Sequence, residues 1–269
     1  MAETLVLCGG VKRPGAECAL QLALEGWSRN ITLKLEDISN RLVKDVPDLL
    51  IDLIEIATYV YCADQVTSRG GECQSGMGAS WRREFRFVIP VRNPDHWRKD
   101  TIADVLREAL GFLSDDEYAF EFERATSPAR FESYLELGDT NSAAFRADEV
   151  LLFSGGLDSL AGSVEELSDG RKKVALVSHR SSPKIFEHQK RLVDQLKRRF
   201  PGRVMHFPVQ ITKHAMKSLE HTQRSRSFLY AAIAFIVAYL LGNTRIRFFE
   251  NGVVSINLPI AEQVVGSRA

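Results

Sequence analysis

The chain has 269 residues, 45% of them hydrophobic and 26% charged, with 35 basic and 35 acidic side chains. That apolar content builds a substantial core in one large domain or two ordinary ones, and it excludes disorder, collagen-like repeats and fibrous coiled coil for the chain as a whole. The zero net charge argues against a globally basic nucleic-acid binder, but it hides a division: residues 1–148 carry net −8 and residues 149–269 carry net +8. A boundary near 148 follows, with an acidic docking or substrate-presenting domain (1–148) before a basic domain (149–269) suited to a polyanion. Simple attraction between the two halves is the plainer alternative.

In the acidic half, Thr4–Cys8 and Ile31–Leu35 alternate like strands, and Asp45–Ala63 is apolar at helical spacing. Ser68–Ala79 is a glycine-rich loop. Glu84–Val91 reads as a strand, Asp95–Phe112 as a helix, and Tyr118–Arg124 as a strand with one buried face. Ser127–Asn141 is irregular. The pattern predicts a small α+β domain.

The basic half alternates clearly. Glu149–Phe153 is a short apolar strand, Ser159–Leu167 a helix and Lys173–Ser178 a second strand. Ile185–Phe200 is an amphipathic helix with apolar residues at 185, 186, 192, 193 and 196, stopped by Pro201-Gly202. Arg203–Gln210 is a strand, Ser225–Leu241 a buried helix closed by Gly242-Asn243, and Arg245–Glu250 a strand. This repetition predicts an α/β fold, a parallel sheet with helices on both faces.

The longest apolar run, Phe228–Leu241, has 14 residues, short of the roughly 20 that cross a bilayer. No signal peptide follows Met1, so a cytoplasmic protein without a membrane partner is expected. Cys8, Cys18, Cys62 and Cys73 form no CxxC pair, and buried reduced thiols fit them better than zinc or disulfides. His206, His214 and His221 are spaced too widely for a local metal site.

The chemistry-bearing segment is Val150–Ser159, VLLFSGGLDS, a buried strand running through two glycines into a helix. Gly155 and Gly156 permit a sharp turn and bring backbone N–H groups close to a ligand. The helix N-terminus aims unpaired N–H groups at the same place, and Ser154 and Ser159 add hydroxyls. The construction suits a phosphate chain at the carboxyl end of a parallel strand. Asp158 repels phosphate unless it holds Mg²⁺ or orients the reacting group. The segment is neither a Walker A loop nor a GxGxxG fingerprint.

SGGLDS in this position resembles the PP-loop, SGGxDS, of the ATP pyrophosphatase superfamily, whose adenine nucleotide alpha hydrolase-like (HUP-type) fold is then implied for the C-terminal half. Ser178-His179-Arg180, Thr222–Phe228 and Glu250-Asn251-Gly252 are similar to the QueC-like (7-cyano-7-deazaguanine synthase-like) branch. Arg226-Ser227 stands where that branch has an Arg-Asn pair, and its four-cysteine zinc site is absent from the basic half. With an acidic domain containing WRREFRFVIPV in front, the chain resembles the QueC-like components of the Qat and type IV CBASS anti-phage systems. That family continues past the position of Ala269, which implies a truncated C-terminus.

The resemblance implies ATP and Mg²⁺ as cofactors and a ligase-type reaction releasing AMP and pyrophosphate. A 7-deazaguanine carboxylate would be adenylated and passed to ammonia or to an amine on a partner protein of a defence operon. Ser154, Gly155, Gly156, Leu157 and Ser159 would cradle the pyrophosphate, and Asp158 would position Mg²⁺ or the attacking group. Ser178 and His179 would hold adenine, Arg226 would neutralise phosphate charge, and Glu250, Asn251 and Gly252 would recognise the substrate base. The catalytic set is then Asp158, Ser159 and Arg226, with nucleic acid not a direct ligand. Plainer readings stand beside these: Ser178 as a strand end, Arg226 as a solvated helix start, Glu250–Gly252 as a turn. A tRNA-modifying PP-loop enzyme and a non-catalytic nucleotide-sensing subunit are the alternative functions.

Overall fold

The structure is a computed structural model that describes residues 3–34, 46–69, 82–126, 145–220 and 224–249. The expected features at 70–79, Ser127–Asn141 and Glu250–Gly252, with Cys73 and His221, lie outside the described residues. In chain order the elements are β1 (Glu3–Cys8), β2 (Leu20–Leu22), β3 (Ile31–Lys34), α1 (Asp48–Val66), β4 (Glu84–Val91), the one-turn α2 (Pro94–Trp97), α3 (Asp100–Ser114) and β5 (Glu117–Arg124). They continue with β6 (Glu149–Leu152), α4 (Leu157–Ser168), β7 (Val174–Arg180), α5 (Pro183–Arg199), β8 (Val204–Lys213), α6 (Arg226–Leu241) and β9 (Ile246–Arg247).

The fold is α/β. One sheet has the order β2-β1-β4-β5 and every neighbouring pair is parallel. This differs from the expected α+β arrangement. Helix α1 follows β1 and precedes β4, and α2 and α3 join β4 to β5, which makes the strand–helix–strand crossovers of a parallel sheet. The expected single helix over Asp95–Phe112 is broken at Arg98-Lys99, where the Trp97 indole N–H donates to Asp52 at 3.1 Å. The second sheet has the order β3-β8-β7-β6-β9. Strands β8, β7, β6 and β9 are parallel, as expected, and β3 is antiparallel at the edge, with Ile31 opposite Lys213. Thus β3 comes from the acidic half yet completes the sheet of the basic half.

Side-chain alternation divides the core. Val150, Leu152, Ala175, Val177, Phe207 and Val209 face one side of the second sheet, packed in one cluster with α1, α6 and the inner face of the first sheet (Val6, Phe85, Phe87, Ile89). Leu151, Phe153, Val174 and Leu176 face the other side, under Leu167 of α4 and Val193 and Leu196 of α5. Most of helix α6 is buried in this packing, although Phe235 and Tyr239 are exposed, and Gly242 ends it with φ 71°. No helix among the described residues is long and apolar enough to cross a membrane.

Polar groups inside this core are tied together. The Arg83 guanidinium donates to Asp64 (2.6 Å) and Asp116 (2.7 Å), and Arg69 donates twice to Asp116 (2.8 and 2.6 Å). Burial alone would raise the Asp116 carboxyl, but Arg83 and Arg69 hold it below the usual carboxylate range. The second oxygen of Asp64 accepts from the Ser225 N–H (3.0 Å) and hydroxyl (2.9 Å) at the start of α6. Replacing Asp64 by Ala removes both acceptor oxygens and leaves buried donors on Arg83 and Ser225. Urea denaturation is expected to show a loss of about 3–5 kcal/mol.

Candidate functional site

Within the parallel part of the second sheet, β7 and β8 lie to one side of β6 and β9 to the other. The carboxyl end of β6 is therefore a topological switch point, where such sheets take ligands. The loop of interest leaves β6 there. Gly155 has φ +85°, and a Cβ on it would stand 3.1 Å from Gln189 Cγ and 3.4 Å from His188 Cδ2, so this position requires glycine. Gly156 caps α4, which starts at Leu157.

Four consecutive carbonyls of the loop are held by donors. The Phe153 carbonyl accepts from the Ser178 hydroxyl (2.7 Å), and Ser154 from the Gln189 amide (3.0 Å). The Gly155 carbonyl accepts from His188 Nε2 (3.1 Å), and Gly156 from the Ser159 hydroxyl (3.1 Å). In a trans peptide the next N–H points away from its carbonyl. The amides of Gly155, Gly156 and Leu157 are thus turned away from these donors, and Gly156 N–H leans on Ser154 Oγ at 3.2 Å. With the first-turn amides of α4 they make a run of N–H groups directed away from the pinned carbonyls, an arrangement suited to an anion. Ser154, Gly156, Leu157 and Asp158 are exposed, so this turn faces solvent. Ser159 is buried, with its hydroxyl 3.2 Å from that of Ser154.

Ser178 and His179 are both buried. Ser178 fastens β7 to the end of β6 and contacts His206 Nε2 at 2.9 Å, so its side chain acts on the loop backbone. His179 points to the α1–α6 side, edge-on to Tyr61 and Tyr230 at centroid distances of 5.4 and 5.9 Å. Its Nε2–H donates to the Ile211 carbonyl (3.2 Å), leaving Nδ1 as a buried acceptor without a partner among the described residues. Burial pushes the ring down to about 4, and the nearby Arg226 guanidinium works in the same direction against the Ile211 carbonyl. Arg226 lies over the Tyr230 ring at 5.3 Å and contacts its hydroxyl at 3.3 Å. The structure therefore brings together Ser154–Ser159 with Ser178, and separately His179 with Arg226.

The pinning donors Gln189 and His188 escape the sequence reading. A signal for Gln189 exists: position 189 falls between 185/186 and 192/193 on the apolar stripe of α5, so a polar residue there has a buried partner to find. Burial raises the thiols of Cys8 and, to about 12, Cys62, in keeping with inert buried cysteines, whereas Cys18 is exposed. Among the described residues no group of three or more His, Cys, Asp or Glu side chains could hold a metal ion.

Gly155→Ala forces a strained backbone against Gln189. Thermal unfolding is expected to show a loss of about 1–2 kcal/mol. The His179 ring gives a pH signature. Its folded value lies below the ordinary 6.5, so its contribution is full above about pH 6.5 and is lost as pH falls towards about 4. The loss is at most about 3 kcal/mol, and His179→Phe is expected to flatten this part of the stability–pH curve measured by urea denaturation.

No protein-family model matches the chain, and no curated protein or solved structure matches it.

Proposed function

We propose that the chain is an ATP pyrophosphatase of the QueC-like class, acting in bacterial anti-phage defence. The observation that carries the reading is the SGGLDS turn: glycines and hydroxyls between β6 and α4, carbonyls held back and amides forward, at the switch point of a parallel sheet. The amides of Gly155, Gly156 and Leu157 and the hydroxyls of Ser154 and Ser159 would receive the β- and γ-phosphates. A carboxylate oxygen of a 7-deazaguanine acid would attack the α-phosphorus. The new O–P bond forms as the bond to pyrophosphate breaks. An amine nitrogen, from ammonia or a partner protein, would then attack the acyl carbon, displacing AMP and losing a proton to solvent. This chemistry is mostly positioning and charge stabilisation, so a covalent protein nucleophile is not required.

The residues present fit Mg²⁺. Asp158 offers one exposed carboxylate in the first turn of α4, and Mg²⁺ is commonly held by one or two carboxylates together with substrate phosphates. Bound there, it would neutralise phosphate charge. Arg226 at the start of α6 would add positive field from the other side of the sheet, and Glu250, Asn251 and Gly252 would contact the base.

The test is product analysis with ATP and 7-carboxy-7-deazaguanine. AMP and pyrophosphate are expected, with the rate falling about 100-fold or more in Asp158→Ala. ADP and phosphate would overturn the reading, and ATP binding without turnover for every candidate acid would favour a nucleotide-sensing subunit.

A further inference from the structure

The first sheet has its own switch point. Strands β2 and β4 flank the central β1 on opposite sides, and a cavity of about 300 Å³ lies at the carboxyl edge between them. Gly9 and Gly10 turn away from β1 with φ of 60° and 81°. A Cβ on Gly9 would reach 2.5 Å from Pro90 Cγ and stand 3.6 Å from the Tyr59 hydroxyl, so glycine keeps this wall clear.

The charged and aromatic polar groups lining the cavity are Glu25, Glu55, Tyr59 and Arg92, together with Ser28 and Thr126. Arg92 is engaged by Glu55 (2.9 and 3.0 Å) and by Asp52 (3.1 Å). Asp52 is satisfied elsewhere, accepting from the N–H groups of Arg92 and Asn93 and from the Trp97 indole. Burial raises the Glu55 carboxyl above its ordinary range; Arg92 opposes this, while Asp52 and Glu25 add to it. The Arg92 guanidinium is therefore shared between Glu55 and Asp52, with Asp48 further off at 3.9 Å. Glu25 stands exposed at the rim without an ion-pair partner among the described residues. Tyr59 is 3% exposed, and its hydroxyl makes no hydrogen bond among the described residues.

We infer that this cavity binds a protonated primary amine, seated between the Glu25 and Glu55 carboxylates and donating to the Tyr59 hydroxyl. An ammonium carries three donors, which match these three acceptors. An anion would meet the acidic rim, with Arg92 already engaged by carboxylates. A metal ion held by protein side chains alone would need a denser ligand set than this cavity supplies, since its residues belong to no group of three or more His, Cys, Asp or Glu among the described residues that could hold one. The inference goes beyond the ATP reading and does not rest on it.

The chemistry is shared by a free amine and by a lysine side chain of a polypeptide. Calorimetric titration of the full chain with n-butylammonium chloride is expected to show saturable 1:1 binding, with no heat from sodium n-butyrate. Glu25→Gln should weaken binding about tenfold and Tyr59→Phe several-fold, with the urea midpoint of Glu25→Gln unchanged. If Nα-acetyl-lysine methylamide binds as well as n-butylammonium, the cavity takes a lysine side chain; if only n-butylammonium binds, it takes a free amine. Absence of saturable binding by either amine, or binding that both variants leave unchanged, overturns the inference.

Discussion

The buried carboxylate of Asp64 joins the two sheets. It lies near the end of α1, where burial would be costly without donors, and it takes them from two directions: Arg83 at the entrance to β4 and Ser225 at the start of α6. A negative charge at the N-terminus of α6 also complements the helix dipole. The direction of α6 is thereby set from the acidic half, and with it the places of Arg226 and Tyr230 around His179. A change at Asp64 would thus reach beyond stability to the electrostatics on the α6 side of the second sheet.

The same architectural device occurs twice with opposite chemistry. In each sheet a strand with parallel neighbours on both sides is followed by a Gly-Gly pair, Gly9-Gly10 directly after β1 and Gly155-Gly156 after β6 with Phe153 and Ser154 between. After β6, side chains hold the carbonyls and the amides face outward, which favours negative charge. After β1, the turn opens on carboxylates and a tyrosine hydroxyl, which favours positive charge. The division of −8 and +8 between the halves acquires a local meaning at these two edges.

Much of the second sheet is legible in the sequence because its parallel strands are built on short apolar runs, such as Val150–Leu152 and Val174–Val177. Glu149–Leu152 and Val174–Arg180 fall within a few residues of expectation for that reason. β3 is different: alternation over Ile31–Lys34 shows that one face is buried but not against which sheet, and its partner β8 is about 180 residues away. The three residues of β2 are too few to show a period. In the site, SGGLDS is legible because glycine and hydroxyl spacing is local. The role of Ser178 is not, because its partner, the Phe153 carbonyl, is backbone on another strand.

The order of these interactions matters for how the loop would act. An anion site made of flexible amides must pay its ordering entropy at binding. Here Ser178 and Gln189 come from the first sheet neighbour of β6 and the helix that follows it, both anchored by the Leu151–Val193–Leu196 core. The loop is therefore shaped by packing that already exists without ligand. Gly155 is the one point where this scaffold presses directly on the turn, through Gln189 and His188. Loop geometry and α5 packing are then a single property, and substitutions on the buried side of α5 should alter the shape of the turn without touching it directly.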